Sequence, residues 1–138
     1  MRYFTYEELE RSETAARLGI DNRMPGWVRE NVAALVERVL DPLREAWGRP
    51  IMVNSGYRCA ALNRAVGGVW NSNHLSGEAA DLCVGSAQEL ERMADTVVRL
   101  GLPFDELLLE RNGAGAVWLH VAYRRDGENR YKKRYIQK

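Results

Sequence analysis

Apolar residues recur at three- and four-residue steps through the first third of the chain. Val28, Val32, Leu35, Val36, Val39, Leu40 and Leu43 fall on one stripe, the spacing of a helix face turned to a core. Pro25 is placed to open this helix, which is expected to run through Trp47 before Gly48 and Pro50 end it. Pro42 lies inside the pattern and is expected to kink or interrupt it, because it lacks the N–H an interior helical position needs. A preceding helix starts at the capping box Thr5-Tyr6-Glu7-Glu8 and runs to about Leu18, with Gly19 as its stop. A third opens at Ser86-Ala87-Gln88-Glu89 and closes at Gly101-Leu102-Pro103. The remaining apolar runs are short and read as strands: Ile51–Val53, Ala80–Val84, Glu106–Leu109 and Val117–Tyr123. The last two flank Asn112-Gly113-Ala114-Gly115, a glycine-rich hairpin loop. Helices first and short strands afterwards imply an α+β fold: a small antiparallel sheet with a helical N-terminal part over residues 1–48.

Composition narrows the class. At 138 residues the chain matches one domain on the usual scale of roughly 100–150 residues. Its 46% hydrophobic and 28% charged residues exclude a disordered chain. Two cysteines exclude a disulfide-dense scaffold and a four-thiolate zinc site. No apolar run approaches the ~20 residues that span a bilayer, so no membrane partner is expected. The start, MRYFTYEELERSE, has no apolar signal-peptide region, so synthesis in the cytoplasm is expected. The net charge of +1 hides an asymmetry. Residues 124–138 hold seven Lys/Arg against two Asp/Glu, a net +5, which leaves −4 for the rest. This basic C-terminal tail is expected to be a solvated segment; nucleic acid is not expected as a partner, and the protein is expected to be a monomer.

The densest cluster of chemically able residues runs from Ser55-Gly56-Tyr57-Arg58 to Asp81, and it includes His74, seven residues before Asp81. The other histidine, His120, sits in the apolar run Val117-Trp118-Leu119-His120-Val121. If that run is a strand, Trp118 and His120 share one face and Val117, Leu119 and Val121 the other. Two imidazoles and a carboxylate suit a zinc ion with an open fourth position. On residue chemistry alone, a single histidine among apolar neighbours is more commonly a hydrogen-bonded core residue than a ligand. Gly67-Gly68 and Gly77 read equally well as turn glycines.

Ser72 to Asp81 matches S-x-H-x-x-G-x-A-x-D at every fixed position. That pattern resembles the signature of zinc D-alanyl-D-alanine carboxypeptidases and their peptidoglycan endopeptidase relatives. Ser55-Gly56-Tyr57-Arg58 is similar to the S-G-Y-R of the same family, and Trp118-Leu119-His120-Val121 to its W-x-H-V. The surroundings of Phe4-Thr5 and Ser12-Glu13-Thr14-Ala15 resemble the phage-type members. The fold implied is the superfold shared by Hedgehog-type domains and D-Ala-D-Ala peptidases.

The resemblance implies that His74, Asp81 and His120 ligate Zn2+. It implies that Arg58 faces the substrate carboxylate or the developing oxyanion, where a planar cation stabilises negative charge. Ser72 is a candidate near the metal or substrate, or a turn cap, and Tyr57 and Trp118 are candidate cleft aromatics. The E-x-x-H of some relatives is missing, since Val117 stands where that glutamate would be. Phe104-Asp105-Glu106-Leu107-Leu108-Leu109-Glu110 resembles the strand before the last ligand in Hedgehog-type domains. Glu110 is therefore the first candidate for the general base and Glu106 the second. Cys59 and Cys83 are expected to be buried reduced thiols. The implied activity is a zinc peptidase acting on bacterial peptidoglycan stem peptides or cross-links, in the manner of a phage lysis enzyme that acts on the wall after release. The other reading is a non-catalytic zinc-binding module that recognises cell wall or protein.

Overall fold

The structure, a computed structural model, describes residues 1–137. Helix α1 (Tyr6–Glu10) is followed by α2 (Glu13–Leu18) and α3 (Gly26–Leu35), then a π turn (Val36–Leu40) and α4 (Asp41–Trp47). Strand β1 (Met52–Ser55), helix α5 (Ala60–Ala65), a 3₁₀ turn (Asn73–Ser76) and strand β2 (Ala79–Cys83) come next. Helix α6 (Ala87–Arg99) leads into β3 (Glu106–Arg111), β4 (Val117–Ala122) and β5 (Lys132–Gln137).

The first expected helix is two. Ser12 leaves the helical conformation and its hydroxyl accepts from the Ala15 amide at 3.1 Å, so a second N-cap interrupts the run. Thr5 caps α1 in the same way, and Gly19, at φ 68°, ends α2. The long second helix stays continuous through Pro42. The missing Pro42 N–H is accommodated by the π turn just before it, in place of a break. All seven residues of its apolar stripe are fully buried.

The five strands form one sheet in the order β1-β2-β4-β3-β5. The first four pair antiparallel, as expected, but β5 pairs parallel to β3. The expected solvated tail is thus corrected: residues 132–137 are an edge strand, where lysine and arginine are tolerated because one side of the strand meets water. A buried carboxylate holds this strand in place. Asp105 accepts from the Arg130 amide and Nε at 3.0 Å and from Nη2 at 2.9 Å. The Asp105 carbonyl then receives the Lys132 amide at 3.0 Å.

Strand alternation divides the sheet into two faces. Ala80, Leu82, Leu107, Leu119 and Val121 join the long helix and α6 in the hydrophobic core. Asp81, Glu106, Leu108, Glu110, Trp118 and His120 lie on the opposite face and line a cleft there. No described helix is long and apolar enough to cross a membrane.

Candidate metal centre

The antiparallel ladder sets Ser55 opposite Asp81, and Asp81 opposite His120. Two of the three candidate ligands thus sit side by side on neighbouring strands. The third, His74, comes from the 3₁₀ turn between α5 and β2. Ser72 caps that turn, its hydroxyl accepting from the His74 amide at 3.2 Å. Gly77 closes it at φ 73°, where a side chain would be strained and would also strike Val28 at 2.6 Å and Val32 at 2.8 Å. The glycine of the signature is therefore a backbone and packing requirement.

His74, Asp81 and His120 are all buried, and their donor atoms lie within 4.8 Å of one another. Asp81 Oδ1 is 3.3 Å from His74 Nε2 and 3.0 Å from His120 Nδ1. The outer nitrogen of each ring is held from behind. His74 Nδ1 is 2.7 Å from the Gly56 carbonyl, and His120 Nε2 is 3.1 Å from Glu106 Oε1. Such backing contacts fix ring orientation and tautomer in metal sites. Gly56 itself is pinned, because a Cβ there would collide with the Leu9 backbone, 2.9 Å from its carbonyl carbon.

Electrostatics match this arrangement. Burial would raise the Asp81 pKa, but the field of His74 and hydrogen bonds to both histidines hold it far below the usual carboxylate range. Burial would lower that of His120, yet its bonds to Asp81 and Glu106 push it up to about 9. The His120 bond in turn holds Glu106 low. Metal binding at this carboxylate and its two imidazoles would release the proton that His120 otherwise holds. Two nitrogens and one oxygen are zinc donors, so these residues fit the metal that the sequence implies.

Around this centre the cleft, of about 420 Å³, is also lined by Arg58, Ser72, Glu110 and Trp118. Arg58 is mostly buried. Its Nε donates to Ser55 Oγ at 3.0 Å and its Nη1 to Asn63 Oδ1 at 3.1 Å, and Nη2 stands 3.5 Å from Asp81 Oδ2. Burial lowers its pKa from the usual guanidinium value, against the opposing fields of Asp81 and Glu110. Glu110 is buried, and its Oε1 accepts from the Trp118 indole at 2.8 Å. Glu106, the second candidate base, is committed to His120, Asn73 and Arg130 instead.

Tyr57 is a correction. Its ring belongs to the hydrophobic core and does not line the cleft. It follows Gly56 in a non-strand segment, where its backbone is drawn to Leu9 and Asn22 and alternation does not govern direction. Cys59 and Cys83 are free thiols, half-buried and not fully enclosed as expected. Ser55 and Asn63, which fix Arg58, were not singled out as site residues. Ser55 opens the S-G-Y-R motif, whereas no sequence signal marks Asn63. Gly68 has a spatial reason, since a Cβ there would collide with the Asn63 carboxamide and lie 2.9 Å from Arg58 Nη1.

The cleft thus holds a buried two-histidine, one-aspartate donor set that could bind a metal, beside a mostly buried arginine. The peptidase M15 family model matches residues 2–130, and the chain belongs to that family. The match stops short of β5. Over 92 residues the chain is 37% identical to a zinc D-Ala-D-Ala carboxypeptidase of Streptomyces albus G, covering 60% of this chain and 32% of that protein. The chain thus spans about a third of that relative's length.

Proposed function

We propose that this protein hydrolyses peptide bonds in the stem peptides or cross-links of bacterial peptidoglycan, with one zinc ion held by His74, Asp81 and His120. The observation that carries this reading is the convergence of three buried donor atoms beside a fixed arginine in an open cleft. The similarity to a D-Ala-D-Ala carboxypeptidase supports the substrate class. The phage-type features around Phe4-Thr5 and Ser12–Ala15 support a role in lysis.

When bound, zinc supplies a Lewis acid that polarises a carbonyl and lowers the pKa of water. Arg58, held by Ser55 and Asn63, binds a substrate carboxylate or the oxyanion that develops on the scissile carbonyl. Glu110, oriented by the Trp118 indole, takes a proton from the attacking water. The carbon–nitrogen bond then breaks, and Glu110 returns that proton to the leaving amine. Glu106 keeps the His120 ring in place and takes no part in proton transfer.

Purified muropeptides incubated with the zinc-loaded protein test this by mass spectrometry. New fragments are expected, and their masses identify the bond as D-Ala-D-Ala or L-Ala-D-Glu. A Glu110→Gln variant should release none. Equal, absent release from both proteins with zinc bound overturns the enzyme reading in favour of a zinc-dependent recognition module.

A further inference from the structure

The C-terminal strand faces the cleft. In the parallel register Lys132 lies opposite Glu106, Arg134 opposite Leu108 and Ile136 opposite Glu110. These are the three β3 residues on the cleft side of the sheet, so Lys132, Arg134 and Ile136 share that side. Lys132 and Ile136 line the cleft directly. Lys133, one residue on, points the other way and pairs with Asp95 of α6 at 3.5 Å.

The cations around the cleft differ in how their charge is used. Arg124 and Arg130 are both engaged by Asp105, at 3.4 Å and 2.9 Å, and Arg130 also reaches Glu106 at 3.4 Å. Arg58 is engaged by Asp81. Lys132 has no carboxylate within 4.0 Å among the described residues, although it is half-buried at the wall of the cleft. Its strand is clamped by the Asp105–Arg130 fork two residues before it. An ammonium at a cleft wall with no carboxylate partner among the described residues is suited to an anionic group on a bound molecule.

We propose that β5 is a specificity wall, and that Lys132 binds a side carboxylate of the peptide substrate, beside the main-chain group read by Arg58. Ile136 supplies an apolar contact next to it. The ligand class is an acidic peptide with a free carboxylate in addition to its C-terminus. This deepens the peptidoglycan reading and rests on it, because stem peptides carry such groups either free or amidated. The wall lies beyond residues 2–130, the span matched by the family model.

The test uses zinc-loaded full-length protein and two synthetic stem peptides that differ only in whether the side carboxylate is free or amidated. Wild type should show a KM about tenfold lower for the free acid, the scale of one charge-assisted hydrogen bond. Lys132→Gln should raise KM about tenfold for the acid alone, leaving kcat, zinc content and the amide's KM unchanged. Lys132→Arg should restore most of the preference. A variant that affects both peptides equally, or neither, overturns the proposal. Equilibrium binding of the same two peptides by calorimetry separates the two readings. If neither peptide is cleaved, the hydrolase reading fails. Loss of acid-selective binding in Lys132→Gln then still supports the wall, and unchanged binding refutes it.

Discussion

His120 is gripped from both sides: its Nδ1 lies 3.0 Å from Asp81 Oδ1 and its Nε2 3.1 Å from Glu106 Oε1. The two glutamates of β3 therefore hold different posts, although they are four residues apart on one face. Glu106 stands behind a candidate ligand, and Glu110 stands beside Trp118 with its carboxylate in the cleft. Glu106→Gln should weaken zinc affinity by about 10- to 100-fold, the usual effect of removing a carboxylate behind a metal-binding histidine. Glu110→Gln should keep its zinc and lose about 10²- to 10⁴-fold in kcat. Chelator competition and steady-state kinetics on the same two variants check the division. Equal zinc loss in both would contradict it.

His74→Ala and His120→Ala should each abolish stoichiometric zinc, as measured by elemental analysis. In the parent protein, zinc at a hundredfold excess over its Kd should add about 2.7 kcal/mol of stability, seen as a rise in Tm over chelator-treated protein. Neither histidine variant should show that rise.

Gly56→Ala should be costly for a reason unrelated to helix or strand propensity. The added carbon runs into the Leu9 backbone, and the carbonyl that orients His74 must shift to relieve the clash. A loss of about 1–3 kcal/mol is expected from the overpacking, together with weaker zinc binding. Urea denaturation and metal titration of the one variant test both effects.

Asp105 sets an acid limit on stability. Burial alone would raise its pKa, but the Arg130 hydrogen bonds and the Arg124 charge outweigh this and hold it below the ordinary value. Its contribution is therefore complete above the unfolded carboxylate pKa, roughly 3.9, and is lost as pH falls through the lower folded value. Asp105→Asn should cost about 1.5–3 kcal/mol near neutral pH, with the difference from the parent shrinking below about pH 4. Denaturant midpoints between pH 3 and 7 report this directly.

The helical stripe from Val28 to Leu43 was readable because its period is local and its burial complete. The four central strands were readable to within about two residues, and Trp118 and His120 share a face as alternation required. Ser12 was harder, because the same hydroxyl that suits a cap is tolerated inside a helix, and only geometry separates the two. Strand β5 was hidden by its own composition. Lys132-Lys133-Arg134 looks like solvated chain, and its parallel pairing depends on Asp105, 25 residues before Arg130. At the site, the seven-residue spacing of His74 and Asp81 was visible. Which ring nitrogen faces inward was not, since that depends on the Gly56 carbonyl and Glu106, both set by tertiary packing.

The pairing of Asp81 with His120 also imposes an order of events. Between them in the chain lie α6 and β3, so the two side chains meet only after a long loop has closed and β4 has entered the sheet between β2 and β3. A nascent chain that has emerged only as far as β2 holds His74 and Asp81 but lacks the third donor. The three donor atoms therefore come together only in a chain that has closed this loop and set β4 between β2 and β3.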